Sequence, residues 1–340
     1  MASNENEHWI LARRPEGDIR DGDLVLKRAP MPSPAKGEVV VRNEWLSLDP
    51  TNRVWMSDMD QYLPPVEIGA PMRGFVCGKV VASDADALPV GTSVMGTGTW
   101  SRYSCVPASE LFVMPEVPGM SRQDIFGQLY IVGPTAYFGL VDYGKPKIGD
   151  TLVVSGAAGA VGSLVGQLGK VLGCKVIGIA GGADKCKWIT GELGFDAAID
   201  YKKDDIGAKL RELCPEGVDV YFDNVGGDTL NILLTQMRLY GRIVQCGLIS
   251  MYNNTALPPG PSAYPMVLMQ RLTVKGFVVL DELPHRLPEA ARALAKLHKE
   301  GKIKWRYHVA DGLESADKAV RMLFKGTNNG KMLVKIADPA

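Results

Sequence analysis

The sequence predicts a two-domain α/β protein, with a doubly wound parallel sheet in one domain and a smaller, partly open β-barrel in the other. Three observations carry this. Its 340 residues exceed the size at which a single hydrophobic core stops growing. The first third is a succession of short strand-like runs punctuated by Pro and Gly, whereas from about Gln128 strand-like and helix-like runs alternate. One strand-to-helix junction, TLVVSGAAGAVG at 151–162, carries the glycine-rich turn that such sheets use at their ligand-binding edge.

In chain order, GEVVVRNEWLSL, FVCGKVVAS, GTSVMGTG, TWSRYSCVP and LFVMPEV alternate in polarity and end in turn residues, the pattern of barrel strands. The alternating region then pairs TLVVSG with helix AVGSLVGQLGKVLG, KVIGIAG with ADKCKWITGELG, AAIDY with DIGAKLRELC, and VDVYFDNVG with DTLNILLTQMR. Strand GRIVQCG follows and, beyond a proline-rich loop, strand TVKGFVVL. In the first helix Val161, Leu164, Val165, Leu168 and Leu172 recur at helical spacing as a buried stripe, while Gly162, Gly166 and Gly169 thin another side. The final segment reads as helix EAARALAKLHKEGKI, strand WRYHVA, helix ESADKAVRMLFKG and strand KMLVKI, and is expected to rejoin the barrel. The barrel domain is therefore assigned to 1–128 and 300–340, and the sheet domain to 129–299.

Hydrophobic residues make up 46% and charged residues 22%, the balance of an ordinary globular protein. The formal net charge is zero and no Lys/Arg run occurs, which removes the electrostatic footprint of a nucleic-acid binder. The N-terminus, MASNENEHWILARRPEG, is polar, and no later apolar run is long enough to span a bilayer, so a cytoplasmic protein with no membrane association is expected. The cysteines Cys77, Cys105, Cys174, Cys186, Cys214 and Cys246 are scattered, arguing against a disulfide framework or a C-x-x-C metal site.

Ala157, Gly159 and Gly162 occupy the three positions of the G-x-G-x-x-G fingerprint, with alanine replacing the first glycine and Gly156 just ahead of it. Gly159 lets the backbone approach a pyrophosphate and Gly162 lets helix and strand pack closely, so the first-turn N–H groups at Ala160, Val161 and Gly162 can face an anion. This predicts a dinucleotide. NAD-selective sites carry an Asp or Glu at the end of the second strand to bind the ribose 2′-OH. Here KVIGIAGGADK ends in Gly181-Gly182 without one, and Lys185 follows. A cation there suits a 2′-phosphate, so NADPH is the expected cofactor, with Asp184 turned away to serve the helix N-terminus. His8, His285, His298 and His308 fall outside the barrel's central strands and no G-H-E segment occurs, so no metal site is expected. Without a Lewis acid, the substrate must be polarised by hydrogen-bond donors, which suits reduction of a conjugated C=C, where an enolate oxygen needs only one or two.

Across essentially its whole length the chain resembles the zinc-independent medium-chain dehydrogenase/reductases, specifically the leukotriene B4 dehydrogenase/prostaglandin reductase and alkenal double-bond reductase group. The resemblance rests on LSLDP (46–50), TAYFGL (135–140), AAGAVGS (157–163), GQLGK (166–170), YFDNVGG (221–227), CGLIS-x-YN (246–253) and N-x-GK (328–331). It implies a Rossmann domain with a GroES-like barrel, a homodimer, and reduction of enones or enals by NADPH. It also implies residue roles. Lys185 and Tyr201 match positions at the 2′-phosphate, Asn224 and Cys246 positions lining the cofactor, and Asn328 an asparagine reaching it from the C-terminal segment. Phe277, Val278 and Val279 match a strand edge whose backbone meets the nicotinamide carboxamide, and Tyr252 a tyrosine hydrogen-bonded to the substrate carbonyl.

Tyr252 lies beside the loop NNTALPPGPSAYP, and its phenol can donate to an enolate oxygen. Thr51 in LDPTNR stands where many members of that group carry an aromatic, and Pro134 replaces a commoner leucine; Trp55, Tyr62, Trp100 and Tyr137 are candidates for other apolar wall. These departures disfavour a prostaglandin or leukotriene substrate. Two alternatives stay open: alcohol/ketone oxidoreduction on the same scaffold, which would show as carbonyl loss with the C=C retained, and a non-catalytic NADPH-binding protein, which only an activity measurement excludes.

Overall fold

The computed structural model describes residues 5–59, 61–256 and 258–339. The first four residues of the polar N-terminus and Leu257 of the proline-rich loop, both read above, lie outside the described residues. The chain divides into two compact units, Met1–Gly127 with Tyr307–Asn328 and Met332–Ala340, and Gln128–Arg306 with Asn329–Lys331.

The first unit opens with an antiparallel hairpin of β1 (Glu5–Leu11) and β2 (Leu24–Pro30). Its polar composition hid these strands from the sequence reading, but Trp9, Ile10 and Leu11 are buried and the Trp9 indole N–H donates to the Leu313 carbonyl at 2.8 Å. Next come β3 (Glu38–Ser47), helix α1 (Thr51–Trp55), β4 (Arg73–Ser83), β5 (Ser93–Thr99), β6 (Tyr103–Pro107), β7 (Leu111–Val113) and the short turn α2 (Arg122–Asp124). The register of β3 against β4 slips at Val40/Val41 and Asn43/Trp45, bulges that bend these strands and curve the sheet.

The second unit runs α3 (Val132–Phe138), β8 (Thr151–Ser155), α4 (Ala160–Val171), β9 (Lys175–Ala180), α5 (Ala183–Gly191), β10 (Ala197–Asp200), α6 (Ile206–Leu213), β11 (Val218–Asp223), α7 (Gly227–Leu234), β12 (Met237–Gln245), α8 (Met266–Met269), β13 (Thr273–Gly276) and α9 (Leu283–Lys299). Among the described residues its strands form one parallel sheet in the order β10-β9-β8-β11-β12-β13. This is the doubly wound order of a Rossmann domain, with β8 and β11 flanking the switch point where a dinucleotide binds. Near-continuous apolar runs, such as Leu152, Val153 and Val154 of β8, are buried on both faces of the central strands. Two departures from the sequence reading have local causes. The last strand stops at Gly276, because Phe277 instead packs against Tyr143 with ring centroids 5.2 Å apart and the buried Val279 enters a tight turn. Helix α9 begins at Leu283 and passes through Pro288, its first turn held by Arg286, which pairs with Glu282 at 3.2 Å and Glu289 at 2.9 Å.

The chain then adds β14 (Tyr307–Asp311), α10 (Ala316–Lys325) and β15 (Lys331–Lys335). Strands β14 and β15 extend the antiparallel sheet of the first unit, in the order β14-β15-β3-β4-β5-β7, with β6 also paired to β3.

Candidate active site

At the carboxyl ends of β8, β11 and β12, the fully buried Asp223 organises three loops. Its Oδ1 accepts from Ser155 Oγ (3.0 Å), Tyr221 OH (2.7 Å) and the N–H groups of Val225 and Gly226 (both 2.9 Å), and its Oδ2 accepts from Gln245 Nε2 (3.0 Å). The Asn224 amide donates to Ser155 O at 2.7 Å and its N–H to Ser155 Oγ at 2.9 Å. The N–H groups of Cys246 and Gly247 both donate to Asp223 O, at 2.9 and 3.0 Å. Asn224, held by Ser155, whose hydroxyl bonds the Asp223 carboxylate, and Cys246, held by the Asp223 carbonyl, were singled out in the sequence; Asp223 was not. A lone Asp closing an apolar strand run was the available signal. Burial and then Asp223 push the Cys246 thiol up to about 12, so it stays protonated at neutral pH.

The fingerprint turn is tight, with the Gly159 N–H donating to Gly156 O at 2.9 Å. A Cβ on Gly162 would lie 2.4 Å from Gly156 O, so only glycine lets α4 start this close to the turn. Gly159 caps α4 without any side-chain hydrogen bond, which keeps the first-turn N–H groups of Ala160, Val161 and Gly162 uncapped by a side chain. Ala157 is fully buried and acts through packing. A glycine cradle and a helix start of this kind fit a pyrophosphate.

Beyond β9, a concavity of about 220 Å³ is lined by Gly181, Gly182, Ala183, Asp184, Lys185 and Asn329. The Tyr201 ring packs on Gly181, where a Cβ would lie 2.7 Å from it. Burial and then the neighbouring Lys202 cation lower the Lys185 pKa, the signature of a crowded positive site. The nearby Asp200 carboxylate is buried and committed to backbone, its Oδ1 accepting from Gly182 N (2.7 Å) and Lys202 N (3.1 Å), and the Gly182 bond leads the causes holding its carboxyl below the usual range. Lys185 therefore lines the concavity and Tyr201 packs on its Gly181, a surface that fits a phosphomonoester. Asp184 lines the same concavity, which corrects the expectation that it faces away, because the Gly181-Gly182 turn presents the whole first turn of α5 to it. Asn329 is a residue the sequence reading missed; its neighbour Asn328, half-exposed, was the one singled out.

Tyr252 follows β12 in the loop that starts at Cys246, and its hydroxyl oxygen accepts the Leu248 N–H at 3.0 Å. That bond orients the ring against Gly247, whose N–H is fixed on Asp223 O. A phenol that accepts one hydrogen bond can also donate through its O–H. Phe277, Val278 and Val279 lie just past β13 rather than on it, so the strand expected there ends earlier; Phe277 and Val278 keep accessible surface and Val279 is buried. Tyr137 turns its phenol toward Glu289, and burial followed by the nearby carboxylates raises its pKa.

In the first unit, the hydroxyls of Thr51 and Tyr62 are hydrogen-bonded and Tyr62 is half-exposed, its phenol raised chiefly by burial. Trp55 has no exposed surface; it packs edge-on to Phe75 at 5.5 Å with Arg73 over its face. The expectation that Trp55 forms substrate wall is therefore corrected to a core role, and Trp100, equally buried, shares it. Among the described residues, no group of three or more His, Cys, Asp or Glu is placed to hold a metal ion.

Comparison with known proteins places this geometry. Residues 7–114 match the N-terminal domain of oxidoreductase and residues 160–296 match the family described as zinc-binding dehydrogenase. The chain is 40% identical over 336 residues to the NADPH-dependent curcumin reductase of Escherichia coli, covering 98% of this chain and 97% of that protein. The chain belongs to the medium-chain dehydrogenase/reductase family. Within it the chain falls in the leukotriene B4 dehydrogenase/prostaglandin reductase group: it is 39% identical to bovine (Bos taurus) prostaglandin reductase 1, over 96% of this chain and 98% of that one. The crystal structure of CurA from Vibrio vulnificus in complex with NADPH matches with a TM-score of 0.92 at 40% identity, covering 98% of this chain and all of that one.

Proposed function

We propose that this NADPH-dependent oxidoreductase reduces the C=C bond of α,β-unsaturated ketones and aldehydes, delivering hydride to the β-carbon while Tyr252 stabilises the enolate. The single observation that carries this is the phenol of Tyr252, held by the Leu248 N–H at 3.0 Å at the carboxyl end of β12. The names of its relatives, a curcumin reductase and a prostaglandin reductase, support the reading.

When bound, NADPH supplies the hydride. The chain's own residues do the rest. The helix start at Ala160–Gly162 holds the pyrophosphate, and Lys185 with Tyr201 holds the 2′-phosphate. Asn224, held by Ser155, and Cys246, held by Asp223, shape the wall along the cofactor. Tyr252 donates to the substrate carbonyl oxygen as charge develops there, a bond stronger in the transition state than in the ground state. Thr51 and Tyr62, as a hydroxyl pair in place of a single aromatic, are proposed to shape which enones are accepted.

A homodimer is proposed as well, in the cytoplasm. Strand β13 ends the parallel sheet with all of its residues exposed, and Tyr240 (67%) and Leu268 (73%) add exposed apolar surface in the same unit. The deciding experiment follows NADPH oxidation with small, aryl and long-chain enones and identifies each product by mass. Saturated ketones are expected; allylic alcohols with the C=C intact would overturn the assignment.

A further inference from the structure

We infer that Asn329 is a second recognition residue for the 2′-phosphate of NADPH, working beside Lys185 in the concavity at the start of α5. The inference rests on the NADPH reading above and extends it to a residue that no motif singled out. Asn329 is the one lining residue contributed from outside the 181–185 turn. A carboxamide at that position offers two N–H donors to phosphate oxygens that the cationic end of Lys185 can satisfy only in part.

The segment carrying Asn329 is braced against the same helix. Gly330 takes φ +73°, and a Cβ there would lie 2.1 Å from Arg306 O. The adjacent Lys331 N–H donates to that carbonyl at 2.9 Å. The Arg306 guanidinium in turn lies 4.5 Å over the Trp188 ring of α5 and pairs with Glu192 at 3.2 Å. Just upstream, Gln167 of α4 grips Lys304 at both its N–H (2.7 Å) and its carbonyl (2.8 Å). This brace ties the turn at Gly330, and with it Asn329, to α4 and α5. Gly330, and not Asn329, takes the left-handed backbone conformation, so the turn itself does not call for asparagine. Asn329 is also exposed, so packing does not call for it.

The test uses the intact protein and two probes, adenosine 2′,5′-bisphosphate and 5′-AMP, titrated calorimetrically into wild type and the N329A, N329D and K185A variants. Loss of one charge-assisted hydrogen bond weakens binding about tenfold, so N329A is expected to lose about that factor for the bisphosphate, with 5′-AMP unchanged. N329D is expected to lose more, because its carboxylate repels the phosphate. In turnover, N329A raises KM for NADPH and leaves kcat and the KM for NADH alone. Unchanged bisphosphate affinity in both Asn329 variants, or equal losses for both probes, would overturn the role of Asn329 while K185A still abolishes discrimination. If wild type binds the two probes equally, the phosphate pocket itself is refuted and the inference falls with it.

Discussion

At Tyr252 one backbone N–H already occupies the phenolic oxygen, so replacing the ring by Phe removes a donor without emptying a packed position. Tyr252→Phe is expected to lower kcat by about 10²-fold to 10³-fold with NADPH affinity little changed, the usual effect of deleting one such donor; unchanged turnover on the best enone would remove Tyr252 from the mechanism. Lys185 makes a pH prediction. Its pKa is lowered by burial and then by Lys202, so its positive charge is lost as pH rises through a value below that of an ordinary lysine. KM for NADPH should therefore climb at moderately alkaline pH while KM for NADH stays flat, and Lys185→Ala should erase the climb. A parallel rise for both cofactors would place the titration elsewhere. Asp184 lines the same concavity and would repel the 2′-phosphate proposed to bind there, so Asp184→Asn is expected to tighten NADPH binding a few-fold in a direct titration.

Among the elements, the start of α4 depends on Gly162 and on Asp223 for different reasons. Gly162→Ala drives a Cβ to 2.4 Å from Gly156 O, backbone that cannot rotate away, so the helix start must shift and cofactor affinity falls. Asp223→Ala leaves five donors without their acceptor, three of them buried and two half-buried, a change worth roughly 3–5 kcal/mol of stability by the behaviour of broken buried charge networks. Denaturant unfolding would measure it; a loss within a few tenths of a kcal/mol would show that the three loops hold themselves. The order of strands and helices in the second unit was legible from alternation alone, because an apolar run buried on both faces and a helix with one apolar stripe look different in sequence. The hairpin of β1 and β2 was not, since Glu5, Asn6, Glu7 and His8 mask strands whose buried face is completed by residues from far along the chain, such as Leu313. Likewise, the sequence reading begins the next helix at Glu289, whereas side-chain pairing through Arg286 keeps the stretch with Pro284 and Pro288 helical.

For the whole molecule, no described helix is long and apolar enough to cross a membrane, and no described cluster suits a metal. Dialysis against a chelator should accordingly leave the enone reductase rate unchanged; a loss restored by zinc would redirect the mechanism to Lewis-acid chemistry. Light scattering should report twice the chain mass, and a Pro or Lys at Val274 on the exposed edge β13 should return it to one. What the sequence determined by itself was whatever depends on local order: the fingerprint turn, the absence of a carboxylate after β9, and the cation at Lys185 that points to NADPH. Tertiary structure alone decided which residues share a surface. It buried Trp55, tied Asn224 to Ser155 and Cys246 to Asp223, and brought Asn329 to Lys185 from far along the chain. The physical reason is that backbone propensity and periodicity act over a few residues, whereas burial and hydrogen-bond partnership are set by chain segments that meet only after folding.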